Sequence, residues 1–326
     1  MEEALLIIRK ITWRKTLNAI KRGISIALSR MLGRYVNMGM PWSYSIEPCN
    51  ICNLKCRECA SGTGALKRRR GSISLQDFYL AVNSIEDYAI NLFLYFQGEP
   101  TLHPHFAEMV RYAGSRHIHT ATSTNGHYLT PEMCQGIVES GLGKIIVSLD
   151  GYNQESYQAY RAGGCYTSVL QGIRNLASAK RELKSRYPVI EVQTLVTRYN
   201  ENHLDEIRRT AMECGANLHY LKTMQIEHLE DIRQINTTID KYSRYTSDGR
   251  LKHRVGFCTR IINSAVITID MDVLPCCYDK DSQLILGNLR SSSLKQIIKS
   301  KEAENIINRI ENQPDKRPDI CRNCGG

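Results

Sequence analysis

The stretch Ser43-Tyr-Ser-Ile-Glu-Pro-Cys-Asn-Ile-Cys52-Asn-Leu-Lys-Cys56-Arg-Glu-Cys59 joins a short strand-like segment to a loop with three closely spaced cysteines. Such a loop suits an iron–sulfur cluster, because a short loop can wrap the cluster, whereas zinc sites normally use two well-separated knuckles. With Cys52, Cys56 and Cys59 as ligands, a 4Fe-4S cluster keeps one iron open for a substrate or cofactor. Cys49 lies in the same stretch, so a four-thiolate electron-transfer cluster is the alternative.

From Pro41 onward, strand-like and helix-like segments alternate. The strand-like segments are rich in Ile, Val, Leu, Tyr or Thr and comprise residues 43–47, 91–96, 118–123, 144–149, 189–197 and 218–223. The helix-like segments between them comprise residues 75–88, 106–116, 131–140, 169–185 and 201–214. Six successive strand–helix units predict an α/β fold with a parallel sheet covered by helices, and their length suits a partial (β/α)6 TIM-like barrel. We expect the sheet to stay open.

Polar residues follow the predicted end of one strand after another. They are the cysteine loop, Glu99, residues 123–125, residues 148–150 and residues 198–200. Each cluster alone is ordinary turn chemistry. Because parallel barrels place their sites at the carboxyl ends of the strands, the clusters together predict one polar mouth.

These motifs resemble the radical SAM superfamily, whose fingerprint is CxxxCxxC after the first strand of a partial (β/α)6 barrel. The resemblance covers residues 43 to about 223. Gly98-Glu99-Pro100 is similar to the family's GGEP segment, with Gln97 in place of the first glycine. The resemblance implies that Arg161 pairs with the methionyl carboxylate of S-adenosylmethionine (SAM). The full set of implied SAM-binding residues is Gly98, Glu99, Pro100, Ser123, Asn125, Ser148, Asp150, Arg161, Leu195 and Val196.

A second cysteine group lies near the C-terminus. The segment Asp270-Met-Asp-Val-Leu-Pro-Cys276-Cys277-Tyr-Asp279 and the later Gly287-Asn-Leu resemble the SPASM/twitch auxiliary-cluster domain, with Met271 where the family has glycine. The resemblance implies an auxiliary 4Fe-4S cluster, with Cys277 as an alternative to one of its ligands. The implied ligands are Cys258, Cys276, Cys321 and Cys324. A structural zinc site competes with this interpretation, although only one CxxC knuckle is present.

The N-terminal segment carries most of the net charge. Residues 1–35 hold eight Lys or Arg against two Glu, which is +6 of the total +10. Apolar residues recur there at helical spacing and predict a basic amphipathic helix; they include Ile20, Ile24, Ala27, Met31 and Tyr35. We expect the helix to dock its apolar stripe on the main domain, with a membrane surface or an acidic partner as the less favoured alternatives.

The predicted organisation has four parts. Residues 1–40 form the N-terminal basic amphipathic helical segment, 41–223 the barrel, 224–256 a helical connector, and 257–326 a small cysteine-rich α+β auxiliary-cluster domain. The N-terminus lacks the features of a secretory signal, and no apolar run approaches the roughly 18 residues that a membrane span needs. With twelve cysteines better suited to metal binding than to disulfides, we expect a cytoplasmic protein.

The resemblance to radical SAM enzymes also implies a reaction. An external electron donor such as flavodoxin or ferredoxin reduces the first cluster, SAM is cleaved to methionine and a 5′-deoxyadenosyl radical, and that radical abstracts a hydrogen atom from substrate. The auxiliary cluster then aids substrate oxidation or binding.

Several substrates and one non-enzymatic function fit the sequence. Modification of a ribosomal precursor peptide is favoured, with a separate recognition protein or the basic run at residues 67–70 gripping the peptide. Dehydrogenation of a carbinol in a small sugar-like molecule is the alternative. A non-enzymatic iron–sulfur or zinc protein that binds nucleic acid through its basic arm is a third hypothesis, but we expect no nucleic-acid partner.

Overall fold

The computed structural model describes residues 2–228, 230, 232–246, 248–253, 258–313, 316–321 and 323–324. Within these residues, nine strands form one open sheet. They are β1 (Ser43–Ile46), β2 (Asn91–Phe93), β3 (His119–Thr124), β4 (Lys144–Ser148), β5 (Val189–Val196), β6 (Leu218–Thr223), β7 (Ser264–Ile267), β8 (Asp272–Leu274) and β9 (Gly287–Asn288). Their order across the sheet is β6-β5-β4-β3-β2-β1-β7-β8-β9.

Helices flank the strands, and several begin at a side-chain cap. Thr130, for example, accepts a hydrogen bond from the Met133 N–H, and a proline occupies the following helical position. The helices are α1 (Glu2–Arg9), α2 (Trp13–Leu32), α3 (Ala60–Thr63), α4 (Leu75–Ile85), α5 (Phe106–Ser115), α6 (Pro131–Glu139), α7 (Gln154–Tyr160), α8 (Tyr166–Glu182), α9 (Leu204–Glu213), α10 (Ile232–Ile235), α11 (Thr259–Asn263), α12 (Leu294–Ile298) and α13 (Lys301–Asn312).

The first six strands form the partial barrel that the sequence predicts. All five pairs from β1–β2 to β5–β6 are parallel, and each strand begins within one residue of its predicted start. Apolar side chains of these strands pack against helices α4 to α9 in one continuous core, in which Tyr44, Leu92 and Phe78 are fully buried. Burial of this kind is the main stabilising contribution to such a fold.

The C-terminal strands extend the barrel sheet. Strand β7 pairs with β1 in parallel, with Ser43 opposite Ser264, and β8 and β9 follow in antiparallel order. Met271 takes a left-handed conformation, with φ of 68°, at the position where the sequence motif has glycine. Its turn is nevertheless closed by a hydrogen bond from its N–H to the Thr268 carbonyl at 3.0 Å.

The expectation of a helical connector at residues 224–256 is wrong for the described part of that segment. There the helical structure is limited to α10 and a short 3-10 turn at Asp240–Tyr242. The segment is held instead by contacts distant in sequence, since Thr237 and Thr238 both donate to the Glu201 carboxylate. Residues 229, 231, 247 and 254–256 of this segment, and Phe257 at the predicted domain start, lie outside the described residues.

The N-terminal segment does dock on the barrel, but the expected face is wrong. Helix α2 buries a polar stripe, and four of the five predicted stripe residues, Ile20, Ile24, Ala27 and Met31, are exposed, while Tyr35 is buried and Ile26 packs against the same small core. The buried residues are Lys15, Asn18, Arg22, Ser25 and Ser29. They face the loop before β1 and the backbone at strand starts, where unpaired carbonyl groups need donors. No helix in the described ranges is both long and apolar enough to cross a membrane.

Candidate active site

The cysteine loop follows β1 and is held against the loop that follows β2. The N–H of Glu99 donates to the carbonyl of Ile51 at 2.8 Å. Gly98 adopts φ of 76°, and a Cβ atom there would lie 2.6 Å from the Ile51 oxygen, so only glycine fits this close approach. The Gly-Glu-Pro segment therefore lies directly beside the start of the cysteine loop.

Glu99 is buried at the centre of a hydrogen-bonded network. One carboxylate oxygen accepts from the hydroxyls of Thr101 and Thr124, each at 2.6 Å, and from the Thr101 N–H. The other accepts from the Asn125 N–H at 2.7 Å. Burial raises the pKa of Glu99, and these hydrogen bonds oppose the shift. The carboxylate thus fixes the ends of β2 and β3 relative to each other.

Asn125 links that network to the cysteines. Its amide nitrogen donates to the side-chain oxygen of Asn53 at 2.8 Å and lies 3.8 Å from the sulfur of Cys52. The strand ends of β2 and β3 therefore reach the same point as the cysteine loop. The convergence expected from the sequence is present here.

A buried ion pair forms the other side of the mouth. Arg161 donates to the carboxylate of Asp150 at 2.6 Å, and another of its nitrogens lies 3.9 Å from the sulfur of Cys56. Asp150 also accepts from the Leu195 N–H at 2.6 Å, and its backbone carbonyl accepts from Asn200. Asp150 therefore orients both Arg161 and the end of β5.

The other residues of the predicted SAM site differ in exposure. Pro100 and Val196 are buried, whereas Leu195 is half-buried. Ser123 and Ser148 are half-buried at the ends of β3 and β4. Of these five residues, Leu195 and the two serines retain side-chain surface at the mouth. Their contacts with SAM stay predictions.

Cys49 is fully buried, and its thiol is hydrogen-bonded to the loop that follows β2. Its sulfur donates to the Glu99 carbonyl at 3.0 Å, and burial raises its pKa to about 12. The Cys49 side chain is thus engaged with the backbone after β2, whereas the side chains of Cys52 and Cys59 retain exposed surface. This geometry favours the three-cysteine ligand set over the four-thiolate alternative.

The three remaining thiols suit a cluster better than a single ion. Cys52, Cys56 and Cys59 are not in disulfides, and they lie close enough for Cys56 and Cys59 to add to the effect of burial, which raises the pKa of Cys52 to about 11. Three thiols within an eight-residue loop are the kind of donor set that wraps an iron–sulfur cluster.

The second cysteine group comes from three separate segments. The Cys258 thiol lies within electrostatic range of Cys276, Cys321 and Cys324. The Cys258 N–H donates to both oxygens of Glu311 at 3.1 Å. These four thiols are the same four that the resemblance implies as ligands.

Cys277 has different surroundings. It is exposed and lies 3.6 Å from a nitrogen of Arg260. Its neighbour Cys276 instead accepts a hydrogen bond from the Tyr278 N–H at 3.4 Å. These contacts favour Cys276 as the fourth thiol of the group.

The basic run at residues 67–70 has a structural use that the sequence did not indicate. Arg68 makes a two-pronged ion pair with Glu47, at 2.7 and 2.8 Å, and both side chains are buried. Arg69 pairs with Asp270 at 2.6 Å. Arg68 is therefore engaged within the protein and not free to grip a peptide, whereas Arg69 is paired but its side chain is still 54% exposed.

A small cleft lies between the two cysteine groups. It measures about 200 Å³ and is lined by Arg57, Cys59, Tyr278 and Lys280 among others. Glu58, beside it, accepts from the Glu227 N–H at 2.6 Å, and its second carboxylate oxygen is buried with no partner in the described part of the chain. A buried acceptor without a donor is costly, which makes this oxygen a candidate for contact with a bound polar group.

His127 is a mouth residue that sequence reasoning missed. Its Nε2 accepts from the Cys165 N–H at 2.7 Å, and its Nδ1 lies 3.0 Å from the side-chain oxygen of Asn125. It follows the Ser-Thr-Asn-Gly motif by one residue, and that adjacency was the available signal. It connects the end of β3 to the start of α8.

Comparison with known proteins identifies the class. The model of the radical SAM superfamily matches residues 46–210, and that of an iron–sulfur cluster-binding domain matches residues 258–325. The chain therefore belongs to the radical SAM superfamily. Its cofactors are SAM and 4Fe-4S clusters, which agrees with the two thiol groups described above.

Individual relatives add detail. The mycofactocin maturase MftC of Mycobacterium ulcerans (strain Agy99) is 29% identical over 196 residues, which are 60% of this chain and 51% of that protein. The chain thus spans about half the length of the curated relatives that it matches first.

Solved structures share the fold at low sequence identity. BtrN in complex with AdoMet and 2-DOIA superposes with a TM-score of 0.58 at 17% identity, covering 88% of this chain and 94% of that one. Streptococcus suis SuiB bound to precursor peptide SuiA gives a TM-score of 0.63 at 13% identity, covering 93% and 74%. Both support a partial barrel with an additional C-terminal part.

Proposed function

We propose that this protein is a radical SAM enzyme that abstracts hydrogen from an unactivated C–H bond of its substrate. The observation that carries the proposal is the placement of the Asp150–Arg161 ion pair against Cys56, beside the Cys52–Cys59 loop. SAM bound at a reduced cluster there would supply the one-electron cleavage of a sulfur–carbon bond and so the means to remove that hydrogen.

The residues of the mouth have distinct proposed tasks. Cys52, Cys56 and Cys59 would hold the cluster, and the Arg161 guanidinium would bind the SAM carboxylate. Asp150 positions Arg161 and neutralises its charge, and Glu99 positions the backbone of Asn125. The half-buried hydroxyls and apolar surface of the strand ends would contact the nucleoside; they belong to Ser123, Ser148 and Leu195.

A direct experiment tests the catalytic cluster. Anaerobically reconstituted protein, dithionite and SAM should release 5′-deoxyadenosine, measured by liquid chromatography and mass spectrometry, and Cys56→Ala should abolish the product. Cys134→Ala is the matched control, because Cys134 is a fully buried cysteine of helix α6 and belongs to neither thiol group. Product formation by Cys56→Ala at the parental rate would contradict the proposal.

The second thiol group would hold an auxiliary cluster across the cleft from the first. Cys59 of the first group and Tyr278, which follows the second, both line that cleft. An auxiliary cluster there would accept an electron from the substrate or help to bind it. An external donor such as flavodoxin or ferredoxin would supply the first electron.

For the substrate, we favour a peptide. Strand β6 is an edge of the sheet, and its side chains are exposed or half-buried. An uncovered edge offers backbone donors and acceptors to which an extended peptide can add as a further strand. The names of two relatives, a mycofactocin maturase and a protein bound to a precursor peptide, agree with this substrate class.

A small carbinol is the second candidate, and a specific observation favours it. The cleft between the cysteine groups has room for a small molecule, and BtrN, named with the small ligand 2-DOIA, matches over nearly its whole length. The free Glu58 oxygen could accept a hydrogen bond from a substrate hydroxyl.

Product analysis separates the two candidates. The enzyme is incubated with short peptides encoded beside its gene and, separately, with a small sugar-like carbinol, and each product is examined for loss of a hydrogen pair. Modification of a peptide supports the first candidate. Oxidation of the carbinol alone supports the second and contradicts the first.

A further inference from the structure

An apolar stripe runs along the outer face of helix α2. Its members are Trp13, Leu17, Ile20, Ile24 and Met31, which are 68%, 46%, 55%, 44% and 81% exposed. Their spacing places them on one side of an α-helix. Leu5 and Ile8 of α1, and Ile11 between the two helices, are exposed as well. Such a contiguous exposed apolar surface is unusual on a monomeric soluble protein and marks an interaction surface.

The orientation of α2 is determined by polar contacts on its opposite side. The Lys15 ammonium donates to the His117 carbonyl, and the Arg22 guanidinium donates to the Ile262 carbonyl. Asn18 exchanges two hydrogen bonds with the backbone of Met40, at 2.7 and 2.9 Å. Turning the helix to bury its apolar stripe would leave these carbonyls unpaired, at a large cost. The stripe therefore stays outside in the folded protein.

Basic residues lie beside the stripe. Lys21 on α2, together with Lys295 on α12 and Lys299 directly after that helix, lines a groove that also contains Trp13 and Leu17. All three lysines are exposed, and the ion pairs found among the described residues do not involve them. The one acidic side chain in that groove, Asp87, is paired with Arg14 at 2.9 Å. An apolar centre with a cationic rim matches the acyl and headgroup layers of an anionic bilayer.

We propose that the outer face of α1 and α2 attaches this protein to the surface of an anionic lipid bilayer, with the apolar stripe in the interface and the three lysines on lipid phosphates. A second copy of the chain is a less suitable occupant. Pairing two such faces would bring their basic rims together, and like charges in contact oppose association.

The attachment surface lies at the end of the barrel opposite the mouth. Lys15 and Lys10 bind the carbonyls of His117 and Ile118, which immediately precede β3, whereas the cysteine loop and Asn125 follow strand ends. A protein attached in this way directs its active site toward the aqueous phase.

Vesicle co-sedimentation tests the proposal on the full chain. At physiological salt the protein should sediment with vesicles of phosphatidylcholine and phosphatidylglycerol, and at least about tenfold less with phosphatidylcholine alone. The double variant Ile20→Glu/Ile24→Glu should lose sedimentation. Leu80→Glu, which introduces a Glu at a comparably exposed leucine of α4 outside the stripe, should retain it.

A second double variant tests the rim separately. Lys295→Glu/Lys299→Glu leaves the stripe intact and should weaken binding to the anionic vesicles by about tenfold or more, since basic residues near such a surface are attracted to its lipid phosphates. Circular dichroism and the melting temperature confirm that each variant is folded, as expected for exposed positions.

Three results would overturn the proposal. They are failure to sediment with anionic vesicles, equal sedimentation with neutral vesicles, and a dimer in analytical ultracentrifugation that Ile20→Glu/Ile24→Glu dissociates. The last result would assign the surface to a second copy of the chain.

Discussion

The two ends of the barrel both bury charged side chains, but they neutralise them differently. At the mouth, an anion meets a cation, as in Asp150 and Arg161, or is surrounded by hydroxyl and N–H donors, as is Glu99. The opposite end, where the strands start and α2 docks, is called the base here. There the cations Lys15 and Arg22 donate to backbone carbonyls, and no carboxylate among the described residues pairs with either.

The difference follows from what each end has to accomplish. Paired charges at the mouth hold the thiols and the backbone at defined positions, and polar surface remains there for a ligand. Such fixed positioning is the preorganisation that catalysis needs. Cations at the base satisfy carbonyls at strand starts and keep α2 in one orientation. We therefore assign catalysis to the mouth and the proposed membrane attachment to the base. The variants below test this division.

The largest expected effect is at the mouth. Asp150→Asn leaves Arg161 buried without its counter-charge and weakens the hold on the Leu195 N–H. We expect the free energy of unfolding to fall by about 3–5 kcal/mol and 5′-deoxyadenosine production to be lost. Urea denaturation and product analysis measure the two effects.

A matched pair on the surface serves as the control for that variant. Asp87→Asn breaks the exposed ion pair with Arg14 and should lower stability far less than Asp150→Asn, because solvent screens the pair, with product formation unchanged. Equal losses in the two variants would show that the buried pair has no special role.

The next effect is at the base. Arg22→Met removes a buried guanidinium that donates to the Ile262 carbonyl and to the Tyr35 hydroxyl. Because the acceptors stay buried without a donor, we expect a loss of about 3 kcal/mol in unfolding free energy, with 5′-deoxyadenosine formed per folded molecule unchanged. Lys21→Met, next to it but exposed, should change stability by less than about 0.5 kcal/mol. Loss of 5′-deoxyadenosine production in folded Arg22→Met would show that the base influences catalysis at the mouth, against the proposed division.

A smaller effect is expected from pH at the base. Burial, assisted by Lys10 and Lys144, lowers the pKa of His119 to about 4 from its ordinary 6.5. The unfolded chain therefore binds a proton between these values when the folded protein does not, and stability falls as pH decreases through that window. His119 should make the protein about 2 kcal/mol less stable at pH 5 than at pH 7.

His119→Gln provides the measurement for that pH effect. Urea unfolding at both pH values should show a difference that is smaller in the variant by that amount. An unchanged pH dependence in His119→Gln would assign the effect to other groups.

Much of the barrel and its mouth follows from local sequence. The β-branched and aromatic runs determine where strands start, and polar turns after them indicate the carboxyl ends of a parallel sheet. Residues such as Glu99, Asn125 and Asp150 could be identified because each lies in the turn or loop that follows a strand. Their partners, by contrast, depend on which strand ends meet in space.

The face of α2 that docks at the base could not be predicted from the sequence. Helical periodicity shows that α2 has an apolar and a polar side, but not which side the barrel requires. The surface that α2 covers presents backbone carbonyls, which are the same in every sequence, so Lys15 and Arg22 look like solvated charges until the fold is known. Arg68 is a similar case, because its partner Glu47 is 21 residues away.

The smallest expected effect concerns Cys49 and sharpens the description of the mouth. Its thiol donates to the Glu99 carbonyl and is buried, so Cys49→Ala removes one weak hydrogen bond and a small volume. We expect a loss of about 1 kcal/mol in unfolding free energy, with iron content and 5′-deoxyadenosine production unchanged.

Cys52→Ala, in the same loop, is the matched comparison for Cys49→Ala. It removes a proposed ligand and should lose roughly half of the iron of a protein with two four-iron clusters, together with all product. Iron and sulfide assays on both variants give the ligand count directly. If Cys49→Ala also lost the first cluster, four thiolates would surround that cluster, no iron would remain open to SAM, and the mouth would be an electron-transfer site instead of a catalytic one.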